Sequence, residues 1–340
     1  MRINQVLSII ISVVFCSLMQ NAKACSSCGS SATSPLVLNP DENLKMYFGI
    51  SENLNFMDYG AKGADSTEQI PNQKITSRRT LTLAIGYRTT ENSFVTLTGS
   101  GVQNQGPIDR GFPEMGMADK QYLMGDPILA GRYNLVNMDI TNTYRPQVQL
   151  AMSYKPSLAK NMVDNEPSAI KTVGNGFHQV TAGVDFWFGM SAVQFGAAQF
   201  VTYSFDRQPN NAGRTCCGKE SSTTTQVKRT RDLQYTTVLT VGYIFKEHNI
   251  SIQSGAILDY IGEEKITNQN NNDGTQSYIV KKPAQSNSLF ANVKYKSSDK
   301  DTWRLSYTLG GAYEGDLGVF TNSSQTTSDS IAFSYERTIF

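Results

Sequence analysis

The stretch Leu44–Phe56 reads LKMYFGISENLNF, and its alternation decides the fold. Leu44, Met46, Phe48, Ile50, Leu54 and Phe56 share one face of an extended chain, while Lys45, Tyr47, Gly49, Ser51 and Asn53 share the other. A period of two residues is that of a β-strand, and no 3.6-residue helical period competes with it. One face is apolar and the other polar. The pattern recurs in Leu81, Leu83, Ile85 and Tyr87, in Val148, Leu150, Met152 and Tyr154, and in Val180, Ala182, Val184, Phe186 and Phe188.

Twelve such runs follow one another, near 43–58, 78–88, 93–102, 125–135, 144–155, 177–188, 192–205, 232–245, 249–261, 286–296, 301–313 and 328–340. A tilted strand crosses a bilayer with about 9 to 11 residues, so runs of this length suffice. The connections after even-numbered runs are short (TTEN, VNMDITNT, GMS, KEHN, KSSDK), whereas those after odd-numbered runs are long and rich in Asn, Gln, Thr and Gly. Short turns on one side and long loops on the other are the asymmetry of a bacterial outer-membrane barrel. The expected fold is therefore all-β, a single transmembrane antiparallel up-and-down β-barrel of about 12 strands. Its short turns would be periplasmic and its long loops extracellular, with both termini on the periplasmic side.

Aromatic residues support this orientation, because outward Tyr and Phe gather at the two membrane boundaries. Near the short turns the outward residues are Tyr87, Tyr133, Phe188, Tyr243 and Tyr295; near the long loops they are Phe56, Tyr154, Tyr203, Tyr260 and Tyr313. A soluble sandwich would have no reason to place them so. The chain ends on Phe340, and SIAFSYERTIF resembles the terminal strand of outer-membrane barrels. There the parity of Ile331, Phe333 and Tyr335 would turn Arg337 outward and Phe340 inward, and a bulge near Glu336 or Arg337 is expected to restore the register.

The N-terminal residues place Arg2 before an apolar run from Val6 to Met19 and close on Ala22-Lys23-Ala24. This is the layout of a secretory signal peptide, and the run is too short for a membrane-spanning helix. The expected organisation is a signal peptide at 1–24, a periplasmic or luminal segment bearing CxxC at 25–41, and the barrel at 42–340. Cleavage would leave Cys25 first; Ala22 and Lys23 depart from a lipobox, so lipidation of Cys25 is the lesser expectation. Of 30 basic residues, Arg2 and Lys23 leave with the leader, so 28 face 29 acidic ones. A charge balance near zero argues against a nucleic-acid partner. The expected partners are outer-membrane lipid and lipopolysaccharide, the barrel-assembly machinery reading the C-terminal strand, and small solutes. No cofactor is expected.

The stretch GDPILAGRYNL, Gly125–Leu135, resembles a G-D-x-x-L-x-x-R-Y-x-L strand of the outer-membrane transporter family associated with the meta pathway of phenol degradation. The likeness covers one strand and implies transport, without naming a substrate.

If the apolar face meets lipid, the lumen receives Lys45, Arg88, Arg132, Arg145, Lys155, Lys294, Lys296 and Arg304 against Asp126, Asp185, Asp259 and Glu336. An excess of basic groups in a low-dielectric wall favours anions. The rival reading is that these charges pair and stiffen the wall; eight strands leave an interior that side chains fill and sixteen leave a channel, and twelve lies between. The leading function is passive passage of small solutes, anionic or small organic. The alternatives are a non-conducting barrel for surface recognition or structure, and an outer-membrane hydrolase. The hydrolase would rest on His178 or His248, yet no His-x-Ser-Asn-Gly grouping surrounds either. His178 would lie at the loop end of strand six and His248 in a periplasmic turn. Loop two carries FPEMGMADK and loop five NQNNNDGTQ, which read as ordinary loop packing and solvated tips.

Cys25 and Cys28 would start in the periplasm and Cys216 and Cys217 in extracellular loop four, both oxidising compartments that favour disulfides or a bound metal over free thiols. Three connectivities are open. Two of them tie the N-terminus to loop four, and residues 25–41 extended would reach about 55 Å at roughly 3.3 Å each, enough to thread a barrel as a plug. A four-thiolate zinc site would need the same threading.

Overall fold

The computed structural model describes residues 36–38, 42–58, 73–106, 119–137, 146–159, 173–190, 192–207, 225–270, 276–281, 283–313 and 326–340. Twelve strands close into an antiparallel barrel: β1 (Leu44–Asp58), β2 (Gln73–Thr90), β3 (Ser93–Gly106), β5 (Ile128–Val136) with β4 (Asp119–Met124) as its upper continuation, β6 (Gln147–Lys155), β7 (Gln179–Met190), β8 (Val193–Ser204), β10 (Gln234–Phe245), β11 (Ile250–Ile261), β14 (Ala284–Lys296), β15 (Asp301–Tyr313) and β16 (Thr326–Thr338). Each pairs with its neighbours in turn, and β1 with β16 completes the ring. Closure removes the sheet edges, which is what permits a sheet to stand in lipid, where no water satisfies unpaired backbone groups.

The wall is inverted relative to a soluble protein. Met46, Ile50, Leu83, Leu97, Leu129, Met152, Leu305 and Ile331 are exposed, while Thr96, Asn134, Gln149, Ser153, Thr181 and Gln253 are buried. In water such a surface would be an aggregation hazard; against hydrocarbon it is the favourable solvent boundary. Of the boundary aromatics, Tyr87, Tyr133, Tyr154, Tyr203, Tyr243, Tyr260 and Tyr295 are exposed on this outer face. Phe188 is half-buried, and the side chains of Phe56 and Tyr313 fall outside the described residues.

Short turns join β2 to β3, β7 to β8, β10 to β11 and β14 to β15. The third is a single 3-10 turn, Lys246–His248, which ends on Asn249 at φ 53°. Asn tolerates this left-handed conformation better than other side chains do, so the tight reversal falls where the sequence supplies one.

Three expectations need correction. The last strand has no bulge at Glu336 or Arg337: β16 pairs in unbroken register with both β1 and β15. Arg337 does face outward, but at the very end of the strand, beside the Tyr335 hydroxyl and within 3.8 Å of Asp301. The regular ladder ends at Thr338, and the Phe340 carbonyl then accepts N–H groups from Asn43 and Leu44, so no register change is needed. The fourth run is split at Gly125–Pro127, where Pro127 has no N–H to give a ladder.

The third correction concerns loops four and five. They contain β9 (Thr225–Arg231), β12 (Glu264–Asn270) and β13 (Gln276–Lys281), a separate three-stranded sheet that carries the β10–β11 hairpin past the membrane. The Asn268–Asn270 end of the Asn-rich stretch is thus in a strand, and Asn271–Thr275 lie outside the described residues. In FPEMGMADK only Asp119 and Lys120 are described, both in β4.

Candidate functional site

Inside the barrel, ion pairs link strands one or two places apart along the wall. Lys45 on β1 bonds Glu42 and Glu336, each at 3.1 Å, and Glu336 on β16 also accepts from Arg304 on β15 at 2.7 Å. Lys294 on β14 stands opposite Arg304 in the register. The order Lys294, Arg304, Glu336, Lys45 therefore runs around the wall and not across the lumen. Arg132 reaches over β6 to Asp185 at 2.5 Å, with Gln149 beneath donating to Asn134 at 2.6 Å. Arg88 donates to the carbonyls of Glu42 and Glu91.

The other charged positions are scattered. Asp259 accepts from Thr236, and Asp126 accepts the N–H groups of Leu158 and Ala159 at 2.8 and 2.7 Å. Lys296 is exposed at the short-turn end and pairs with Asp299. Arg145 lies outside the described residues, as do Cys25, Cys28, Cys216 and Cys217. Among the described residues no cluster of three or more His, Cys, Asp or Glu could hold a metal.

At the short-turn end, residues 36–38 lie inside the barrel. Leu36 and Leu38 are both 0% exposed and pack on Ala84, Phe94 and Tyr47, and Lys45 Nζ donates to the Val37 carbonyl at 3.3 Å. Gly86 makes room for them: a Cβ there would come within 2.5 Å of Leu38 Cδ1 and 2.9 Å of Leu36 Cδ2.

At the long-loop end lies a basic cluster. Arg229 and Arg231, two apart on β9, point to one side of the strand. Their guanidinium carbons stand 5.2 and 4.6 Å from the centre of the fully buried Phe177 ring, and both bond Glu264 on β12, Arg231 at 2.5 Å. A cation on an aromatic face gains from the ring's quadrupole. Arg207 forms an isolated bridge with Arg229, donates to Ser157 Oγ at 2.9 Å and also bonds the Gly176 carbonyl. The charges of Asp126 and Arg231 both act on Lys155. Burial holds the Arg229 guanidinium below its ordinary value, with Glu264 opposing the fall; burial lowers Arg207 as well, with Asp126 opposing.

The sequence reading did not pick out Glu42, Arg207, Arg229, Arg231 or Glu264. The signal available was VKRTR, Val227–Arg231, where Arg alternates behind a Thr run. His178 is exposed and its ring bonds the Tyr154 hydroxyl at 2.9 Å; among the described residues that is its one side-chain hydrogen bond. His248 is in the short turn. A groove of about 710 Å³ lies on the outer wall, where Gly131 and Ala182 leave a dent between Tyr133, Leu150, Met152 and Val184. Its lining is chiefly lipid-facing, so it is no part of the lumen.

A closed antiparallel barrel with an apolar exterior and a charged interior is the architecture of an outer-membrane protein. No protein-family model matches the sequence, and no curated protein matches it either. The structure is similar to the COG4313 outer membrane channel from Pseudomonas putida F1, with a TM-score of 0.58 at 10% identity, covering 91% of this chain and 98% of that one. It is also matched to a TodX deletion mutant, a monoaromatic hydrocarbon channel (TM-score 0.49, 10% identity, 94% and 96% covered), and to the KdgM porin in complex with oligogalacturonate (TM-score 0.37, 7% identity, 86% and 99% covered). The first likeness shows the fold.

Proposed function

We propose that the protein is an outer-membrane channel for the passive passage of small solutes, with a preference for anionic or small organic ones. The observation that carries this reading is that the interior ion pairs run along the wall between strands one or two places apart, which leaves them able to stiffen a barrel without bridging its lumen. Among the described residues, the interior adds Arg78, Arg207, Arg229 and Arg231 to the basic groups and Glu42 and Glu264 to the acids, so the basic excess persists there. The proposed solute site residues are Lys45, Arg88, Arg132, Lys155, Lys294 and Arg304, with Asp126, Asp185, Asp259 and Glu336 as their counter-charges.

Purified protein in a planar bilayer tests the reading. Discrete conductance steps with a reversal potential shifted toward the anion are expected; cation selectivity would defeat the preference, and no conductance would favour a barrel for surface recognition or structure. No catalytic role is proposed for His178, whose ring is engaged by Tyr154.

The seat of Leu36 and Leu38 supports a segment 25–41 that acts as a plug entering from the periplasm. A disulfide or metal link between Cys25 or Cys28 and Cys216 or Cys217 would fasten such a plug, and disulfide mapping that finds only local pairs would remove the link. The Gly125–Leu135 strand supports kinship with the phenol-degradation transporter family. Lipid and lipopolysaccharide on the outer face, and the assembly machinery at the C-terminal strand, are the partners this reading requires. A signal peptide at 1–24 and a Gram-negative source complete it.

A further inference from the structure

The Arg229–Arg231 pair holds more hydrogen-bond donors than its protein partners use. Both guanidiniums give Nη2 to Glu264. That leaves Nε and Nη1 of Arg229 and Nε of Arg231 buried with no acceptor. Arg229 is 6% exposed, so these donors have also lost bulk water. A buried donor left unmade costs about 1–3 kcal/mol, more when it is charged. Among the described residues, the charges of Asp126 and Glu264 act on the cations of this cluster, Lys155, Arg207 and Arg229. The neighbouring acids Asp206, Asp232 and Glu263 are exposed, and Asp206 is held by Lys228 at 2.9 Å.

Two planar forks side by side, with three buried nitrogens left without an acceptor, are suited to a planar or tetrahedral oxyanion. We infer that the extracellular mouth of the barrel carries a binding site for a small oxyanion, a carboxylate or a phosphate, held by Arg229 and Arg231 with Lys155 and Arg207 supplying charge. As a solute site this rests on the channel reading, but binding is measurable without conduction.

The test is isothermal titration of the purified full chain in detergent, at fixed ionic strength, with benzoate in one arm and inorganic phosphate in the other. Saturable binding in at least one arm is expected, and the arm that binds names the carboxylate or the phosphate as the natural group. Arg229→Gln and Arg231→Gln should each weaken binding tenfold or more, while Lys300→Gln in the exposed short turn should leave it unchanged. Heat-modifiable migration on a gel verifies that each variant is a folded barrel; if Arg229→Gln does not fold, Arg231→Gln and Lys155→Met decide. Absence of binding in both arms by the unaltered protein overturns the inference, as does binding that Arg231→Gln leaves within twofold. Binding without conductance would sink the channel reading alone, and conductance without binding would sink this site alone.

Discussion

The two ends of the barrel interior use the same device to different degrees. At the periplasmic end Glu336 is shared by Lys45 and Arg304, and at the extracellular end Glu264 is shared by Arg229 and Arg231. Below, Lys45 has a second carboxylate in Glu42 and a carbonyl in Val37, and one donor, Arg304 Nε, lacks an acceptor. Above, three guanidinium nitrogens lack one. The lower cluster is thus nearly satisfied by its own protein partners, and the upper one keeps more donors without an acceptor. Residue type alone does not separate scaffold from site; the degree of satisfaction does.

The largest effect in this comparison should follow the loss of Glu336. Glu336→Gln removes the shared counter-charge of the buried Lys45 and the half-buried Arg304, and breaking a buried pair from one side costs about 3–5 kcal/mol. Arg229→Gln should cost far less, under about 1 kcal/mol, because Arg231 keeps Glu264 paired and two unsatisfied donors leave with the side chain. Urea unfolding of both variants in micelles measures the contrast. Equal losses would mean that the upper cluster is as structural as the lower.

How much of this contrast was legible in the chain depends on which solvent each face meets. In β1 the outward positions 46, 48 and 50 had to suit lipid, so Met46, Phe48 and Ile50 stand out against Lys45 and Gly49. Strand β9 projects beyond the lipid. Its faces, Thr225-Val227-Arg229-Arg231 and Gln226-Lys228-Thr230, carry little apolar contrast, and the period-two signal vanishes though the strand does not. Glu42 was missed because it precedes the first alternating run, and Glu264 because its pairing with Arg229 spans 35 residues. Arg337 looked like a register error only because strand parity does not reveal that its position is at the membrane boundary.

The next effect in size concerns the lower end alone. Gly86→Val places methyl groups where Leu36 and Leu38 sit, and it should expel residues 36–38 from the lumen. If that segment narrows the pore, single-channel conductance rises by roughly two- to fivefold, an order-of-magnitude expectation for clearing two large side chains from a twelve-stranded lumen. An unchanged conductance from a folded variant would show that the Leu36–Leu38 seat is packing only and does not restrict passage.

The smallest effect belongs to an ion pair on the opposite side of the wall. Glu52 and Arg79 interrupt the greasy face with an outward bond of 2.9 Å, and both side chains are substantially exposed. Pairs of this kind contribute about 0–1 kcal/mol in water, and charges near the membrane boundary cost about as little. A double-mutant cycle with Glu52→Gln and Arg79→Gln in lipid vesicles should therefore give a coupling under about 1 kcal/mol that falls as salt is raised. A coupling several times larger and indifferent to salt would place this pair within the hydrocarbon. The apolar band would then extend further toward the long loops, and the Arg229–Arg231 cluster would stand nearer to the bilayer than its position on β9 implies.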